Sequence, residues 1–336
     1  MAVQEATQDK PVYFRPRRLG HANLWVDDRP KSEAFYNQVC GFTLEFWEPD
    51  LEASFLGTGN TPHDIGMIKT TGGKARYGRD GLLQLPEGIG IQHGLGHLAW
   101  ELENEADLVE AFGRLQEAGI ETDMTVDHQV AHSIYMSDPD GNQIEFYCDT
   151  IKEWRTVIQG EMELITGFWA PGDTDAFTEP RYDPNPEIRV VGEAPIHPRR
   201  ITHTLLKTED VDGLVEFYST VGGMTPVFST SDNSIVCLRG THDAYRFHLA
   251  ISQAGAGEKA GYHHSSFELE SEAALVDAEK AVAAAGYAPE KSVDHPSKRS
   301  FFMIDPDGLR SEYFVRRDAA FFDVTQAPAE DRAFLI

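Results

Sequence analysis

The chain has 336 residues, 41% of them hydrophobic, and a net charge of -26. That length holds two domains with full cores, and the acidity disfavours nucleic acid and anionic membrane as partners, because both need a cationic surface. No membrane span or signal peptide is evident, and three scattered cysteines (Cys40, Cys148, Cys237) make no disulfide framework, so a reducing cytosol is the expected compartment.

In chain order, Arg18 to Val26 (RLGHANLWV) reads as a strand with His21, Asn23 and Trp25 on one face. A short helix follows, with Ser32, Phe35, Tyr36 and Val39 at helical spacing and Gly41 as its stop. Strand-like runs at Phe42 to Trp47, Ala53 to Leu56 and Asp64 to Thr70 complete a βαβββ unit. A glycine-rich loop, Thr71 to His93, leads to a second unit. Its first strand is Leu95 to Leu102, its helix carries Leu108, Ala111, Phe112 and Leu115 up to Gly119, and its strands fall near Thr122 to Val126, Ser133 to Ser137 and Gln143 to Cys148.

Residues 151 to 198 bring prolines and little apolar content and read as a linker that wraps the surface. A third unit starts at Arg200, with a helix bearing Leu214, Phe217, Tyr218 and Val221 and strands near Thr225 to Phe228, Ile235 to Leu238 and Arg246 to Ser252. A fourth starts at Tyr262, with a helix around Leu275, Ala278 and Val282. Four βαβββ units make two paired α+β domains, 16–150 and 199–316, followed by a tail at 317–336.

Both domains end in a hairpin around Asp-Pro-Asp-Gly, at Asp138 to Gly141 and Asp305 to Gly308, and in each a glutamate follows the first aspartate by seven residues. Alternation turns Glu145 away from the apolar face of its strand, and a carboxylate on the inner face of a curved sheet needs a cation. Aligning the halves on these turns matches His21 with His203, His97 with His264 and Glu145 with Glu312, and both spacings from second histidine to glutamate are 48. Neutral imidazoles and a carboxylate suit a divalent first-row metal and leave coordination positions open. A hydrogen-bonded His/Glu network without a metal is the alternative for either half.

These residues resemble the vicinal oxygen chelate superfamily of glyoxalase, bleomycin-resistance and dioxygenase proteins, and within it the type I extradiol ring-cleaving dioxygenases. The resemblance implies two incomplete barrels of paired βαβββ modules and iron(II), or manganese(II), held by His21, His97 and Glu145 and by His203, His264 and Glu312. It implies a small aromatic diol and dioxygen as substrates in aromatic catabolism, and a homo-oligomer. It also implies an acid/base histidine at the start of the fourth strand, matched by His63 and His248, and a tyrosine three residues before the hairpin aspartate, which is Tyr135 in the first half but Phe302 in the second. His128 and His295 match a secondary pocket histidine, with solvated loop residues as the other reading. The tyrosine favours the first domain as the active one, although His248 has the shorter spacing to its metal histidine, 16 residues against 34 from His63.

Two rivals stand beside the dioxygenase. A metal-dependent lyase or isomerase of the glyoxalase type would want a fourth protein ligand where His63 and His248 lie, and a ligand-sequestering protein would need no metal. The loop Thr71 to His93 is long enough to act as a lid, with Leu82, Leu83 and Leu85 as its apolar edge. Its Lys74, Arg76 and Arg79 raise the prospect of an anionic substituent on the substrate.

Overall fold

The computed structural model describes residues 11–162, 167–317 and 320–336. Strand β1 (Arg18–Val26) is followed by helix α1 (Arg29–Ala34) and then by β2 (Thr43–Glu48), β3 (Ala53–Gly57) and β4 (Ile65–Lys69). A hairpin, β5 (Arg76–Tyr77) and β6 (Leu83–Leu85), precedes β7 (Gly94–Glu101), α2 (Glu105–Ala118), β8 (Met124–Asp127), β9 (Ala131–Ser137) and β10 (Gln143–Asp149). The connecting segment carries β11 (Gly160–Glu161) and β12 (Gly167–Phe168).

The second half repeats the order with β13 (Arg200–Thr208), α3 (Val211–Thr220), β14 (Thr225–Ser229), β15 (Ile235–Arg239) and β16 (Leu249–Gln253). Its other module is β17 (Gly261–Glu268), α4 (Glu272–Ala284), β18 (Lys291–His295), β19 (Lys298–Ile304) and β20 (Arg310–Arg316), and α5 (Ala329–Leu335) ends the chain. None of the described helices is long and apolar enough to cross a membrane.

Each half is built on one large sheet, and the first half also carries the separate two-stranded β5–β6 hairpin. The first runs β11-β2-β3-β4-β1-β7-β10-β9-β8-β12 and the second β14-β15-β16-β13-β17-β20-β19-β18. Where modules meet, β1 lies antiparallel to β7 and β13 antiparallel to β17, and the last strand of each module pairs in parallel with that module's first strand. Residues 151–198 do more than wrap the surface. They add an edge strand at each end of the first sheet and bury Trp154, Ile158 and Trp169.

The helices form where caps and apolar stripes coincide. Asn104 and Ser271 accept the backbone N–H of Asp107 and Ala274, and Leu108, Ala111 and Leu115 or Leu275, Ala278 and Val282 face inward. The helix expected over Ser32 to Val39 is α only to Ala34. It then widens into a π turn over Phe35–Val39, closed by the Cys40 N–H on the Phe35 carbonyl.

Strand alternation divides the side chains between two environments. Ala22, Leu24 and Val26 of β1 and Ile144, Phe146 and Cys148 of β10 enter a core shared by both halves, while His21, Asn23 and Trp25 and Glu145, Tyr147 and Asp149 face a concave cup. The Asp-Pro-Asp-Gly turns lock the halves together. In each, Oδ1 of the first aspartate accepts two backbone N–H groups of its own turn, and Gly141 and Gly308 supply the φ values of 81° and 86°. The second oxygen reaches across: Tyr218 donates to Asp138 at 3.0 Å and Tyr36 donates to Asp305 at 3.1 Å. Both contacts are buried. Tyr36→Phe should therefore cost about 1–3 kcal/mol, the usual penalty for a buried acceptor left without its donor, read as a lower urea midpoint at unchanged slope, and Tyr218→Phe less, because Asn142 Nδ2 also donates to Asp138 Oδ2.

Candidate metal centre and pocket

In the first cup His21 on β1, His97 on β7 and Glu145 on β10 converge. Glu145 Oε2 is 3.1 Å from Nε2 of each histidine, and the two Nε2 atoms are 3.4 Å apart. Ligands held about 2.1 Å from one centre have this spacing, so the donor set fits a divalent metal. Glu145 is 3% exposed, and Ser133 on β9 donates to its other oxygen. Burial pushes the Glu145 carboxyl up, but the hydrogen bonds and charges of His21 and His97 outweigh it and leave it well below the usual carboxylate range. Burial lowers His21, only partly opposed by Glu145. A metal takes such donors as ionised carboxylate and neutral imidazole.

His63 stands against this triad, its ring 4.0 Å from that of His21. Its Nε2 is 3.2 Å from Asn23 Oδ1, and its buried Nδ1 has no hydrogen-bond partner. With the amide oxygen as acceptor, Nε2 carries the proton and Nδ1 is left as a base. Burial, reinforced by His21, holds the ring well below its ordinary pKa. The next residue, Asp64, fixes the loop by accepting from Thr58 and from the Ile201 N–H of the second half. On the other side, Tyr135 packs edge-on against His97, and its hydroxyl is 3.0 Å from His128 Nε2. His128, half-buried, lines the pocket. His63 lies outside the cluster of converging donor atoms, which among the described residues holds His21, His97 and Glu145.

The cavity in front of these groups is about 120 Å³ and mostly apolar, walled by Trp25, Phe46, Phe55, Ile68, Leu85 and Val126 among others. The long loop supplies Gln84, Leu85, Pro86 and Ile89, and the segment expected to be a linker supplies Ile158. Leu83, expected on the apolar edge, is exposed instead. None of Lys74, Arg76 and Arg79 lines the cavity. Arg76 donates to the Leu51 and Thr70 carbonyls and Arg79 pairs with Asp50 and Glu161, so both cations are engaged within the protein.

The second cup brings together His203, His264 and Glu312 but not their neighbours. Glu312 Oε2 is 3.7 Å from each histidine Nε2, wider than in the first cup, and Lys298 Nζ lies 2.6 Å from Glu312 Oε1. Burial pushes His203 and His264 well below their ordinary pKa. His248 does not face this triad. Ala22 pairs with Ile65 and Thr204 with Leu249, so His63 corresponds to Phe247, whose ring is 4.4 Å from that of His203. His248 corresponds to Asp64, and its Nδ1 accepts from Gly240 N–H. His295 pairs with Ser297 and packs on Phe322, and Phe302 in place of Tyr135 offers it no hydroxyl. The cavity is half the size, about 60 Å³, with Ile336 in its lining.

Sequence reasoning did not assign roles to Asn23, Ser133, Phe247 and Lys298. Lys298 had a signal, since it stands seven residues before its hairpin aspartate where the first half has Ala131.

The chain belongs to the Glyoxalase/Bleomycin resistance protein/Dioxygenase superfamily, whose family model matches residues 18–146 and 200–313. Among characterised relatives, it is 30% identical over 147 residues to biphenyl-2,3-diol 1,2-dioxygenase 3 of Rhodococcus globerulus, covering 43% of this chain and 71% of that one. It is 27% identical over 215 residues to the catechol-2,3-dioxygenase of Bacillus subtilis (strain 168), covering 62% of this chain and 69% of the relative. The fold is shared with a variant of homoprotocatechuate 2,3-dioxygenase from B. fuscum (TM-score 0.60, 17% identity, 91% of this chain and 74% of the other). It is shared equally with the Mn(II)-bound glyoxalase from Novosphingobium aromaticivorans (TM-score 0.62, 14% identity, 89% and 82%). The fold therefore does not separate the two chemistries, and the site must.

Proposed function

We propose that the protein is an extradiol dioxygenase that opens a catecholic ring with dioxygen at a non-haem iron(II) held in the first domain, residues 16–150. The observation that carries this reading is the meeting, in one apolar cup, of three converging donors, a histidine with a free ring nitrogen and a tyrosine–histidine pair. Two relatives are named as dioxygenases of a biphenyl diol and of catechol.

His21, His97 and Glu145 hold the metal on one side, and manganese(II) fits the same donors. When bound, the metal supplies a Lewis acid for the diol oxygens and an electron path to dioxygen. His63 takes a diol proton on Nδ1 while Asn23 fixes the proton on Nε2, and the same nitrogen can return it later. Tyr135, held by His128, offers its hydroxyl to charge developing beside His97. Trp25, Phe46, Phe55 and Leu85 grip the flat ring and keep out water.

The lining also points to the substituent. With no cation among the described residues that line the cavity, an alkyl or aryl group is favoured over a carboxylate. In an oxygen-electrode assay, a 3-arylcatechol should show at least a tenfold higher kcat/KM than a carboxymethyl catechol. A preference for the acid would remove this assignment.

Two substitutions test the roles. Glu145→Gln should abolish oxygen uptake with catechols and release the iron; retained turnover would move the chemistry elsewhere. His63→Phe should keep the iron and slow turnover by roughly 10²-fold, the scale of a positioned acid/base group. Loss of iron along with activity would make His63 a ligand and favour the lyase chemistry.

A further inference from the structure

The two cups differ at the position that decides whether a cation can enter. Glu145 pairs with Tyr135 and Glu312 with Phe302, so Ala131 and Lys298, each four residues earlier on the same strand, are counterparts. Ala131 leaves the first cup open. Lys298 is 4% exposed, its ammonium pairs with Glu312 at 2.6 Å, and it donates to the Ile336 carbonyl.

The space around it is narrower as well. Leu205 and Phe247 stand where the first cup has Asn23 and His63, and Ala333 of α5 joins them in one apolar cluster. Phe334 packs edge-on against Phe302, and Phe321 packs near Phe247.

We propose that Lys298 is the resident cation of the second triad, so that the chain binds one metal ion and not two. The tethered ammonium neutralises Glu312, which is 0% exposed and would otherwise be an uncompensated buried charge. A divalent ion would have to share one carboxylate with a fixed positive charge, and it would have to draw in donors that are 3.7 Å apart. The duplicated triad is thus a latent metal site closed by one side chain. The inference rests on the proposed function only in taking the first triad as the metal holder.

The test is the metal content of the full-length protein, loaded anaerobically with iron(II) or manganese(II) and desalted. Wild type should hold one ion per chain and Glu145→Gln close to none. Lys298→Ala should hold two, and Glu145→Gln combined with Lys298→Ala should return to one. Lys298→Met keeps the aliphatic stem if the alanine variant unfolds, and circular dichroism checks the fold. The reverse graft, Ala131→Lys, should take the first cup from one ion to none. Two ions in wild type, one ion retained in Glu145→Gln, or no gain in a folded Lys298 variant would overturn the proposal. Because metal is counted without substrate, a protein with the expected contents but no catechol turnover would fell the dioxygenase reading alone.

Discussion

A carboxylate buried inside a curved sheet cannot stay charged without positive or hydrogen-bonding partners, and the architecture is arranged around two such carboxylates. Glu145 is answered by two imidazoles and a serine hydroxyl, an assembly that leaves room for a divalent ion. Glu312 is answered by a lysine ammonium and the Ser266 hydroxyl. The same backbone frame thus presents one donor set to the larger apolar cavity and sets a lysine against the other, and the difference lies in a few side chains pointing inward from equivalent strands.

The second half also supports the first. Its Ile201 N–H holds Asp64, the residue after His63, and its Tyr218 holds the hairpin turn from which Glu145 returns into the first sheet. Reciprocal tyrosine–aspartate bonds and a continuous apolar core make the two halves one folding and positioning unit. The geometry of the first cup therefore depends on residues of the second half.

Much of this was legible in the sequence because it is written in local patterns. Alternation over Arg18 to Val26 and over Gln143 to Asp149 separated core from cup, and the twin Asp-Pro-Asp-Gly turns fixed the alignment that matched both triads. What escaped depends on non-local register. His248 looked equivalent to His63 because each lies near the start of a strand-like run, but pairing of β13 with β16 puts Phe247 beside His203 and turns His248 to Gly240. The two-residue strands β11 and β12 are too short to carry any periodicity, and the contribution of Ile158 to the pocket depends on where they anchor. Arg76 and Arg79 were visible as cations, but only the structure gives their partners.

The central claim, that the first cup is the ring-opening centre, is tested most directly by growing crystals of iron-loaded protein without oxygen in the presence of a 3-arylcatechol. An anomalous difference map at the iron edge should then have one strong peak, between His21, His97 and Glu145, with both diol oxygens beside it and a diol oxygen within hydrogen-bonding reach of His63. A peak between His203, His264 and Glu312, or a diol bound away from the first triad, would contradict the account.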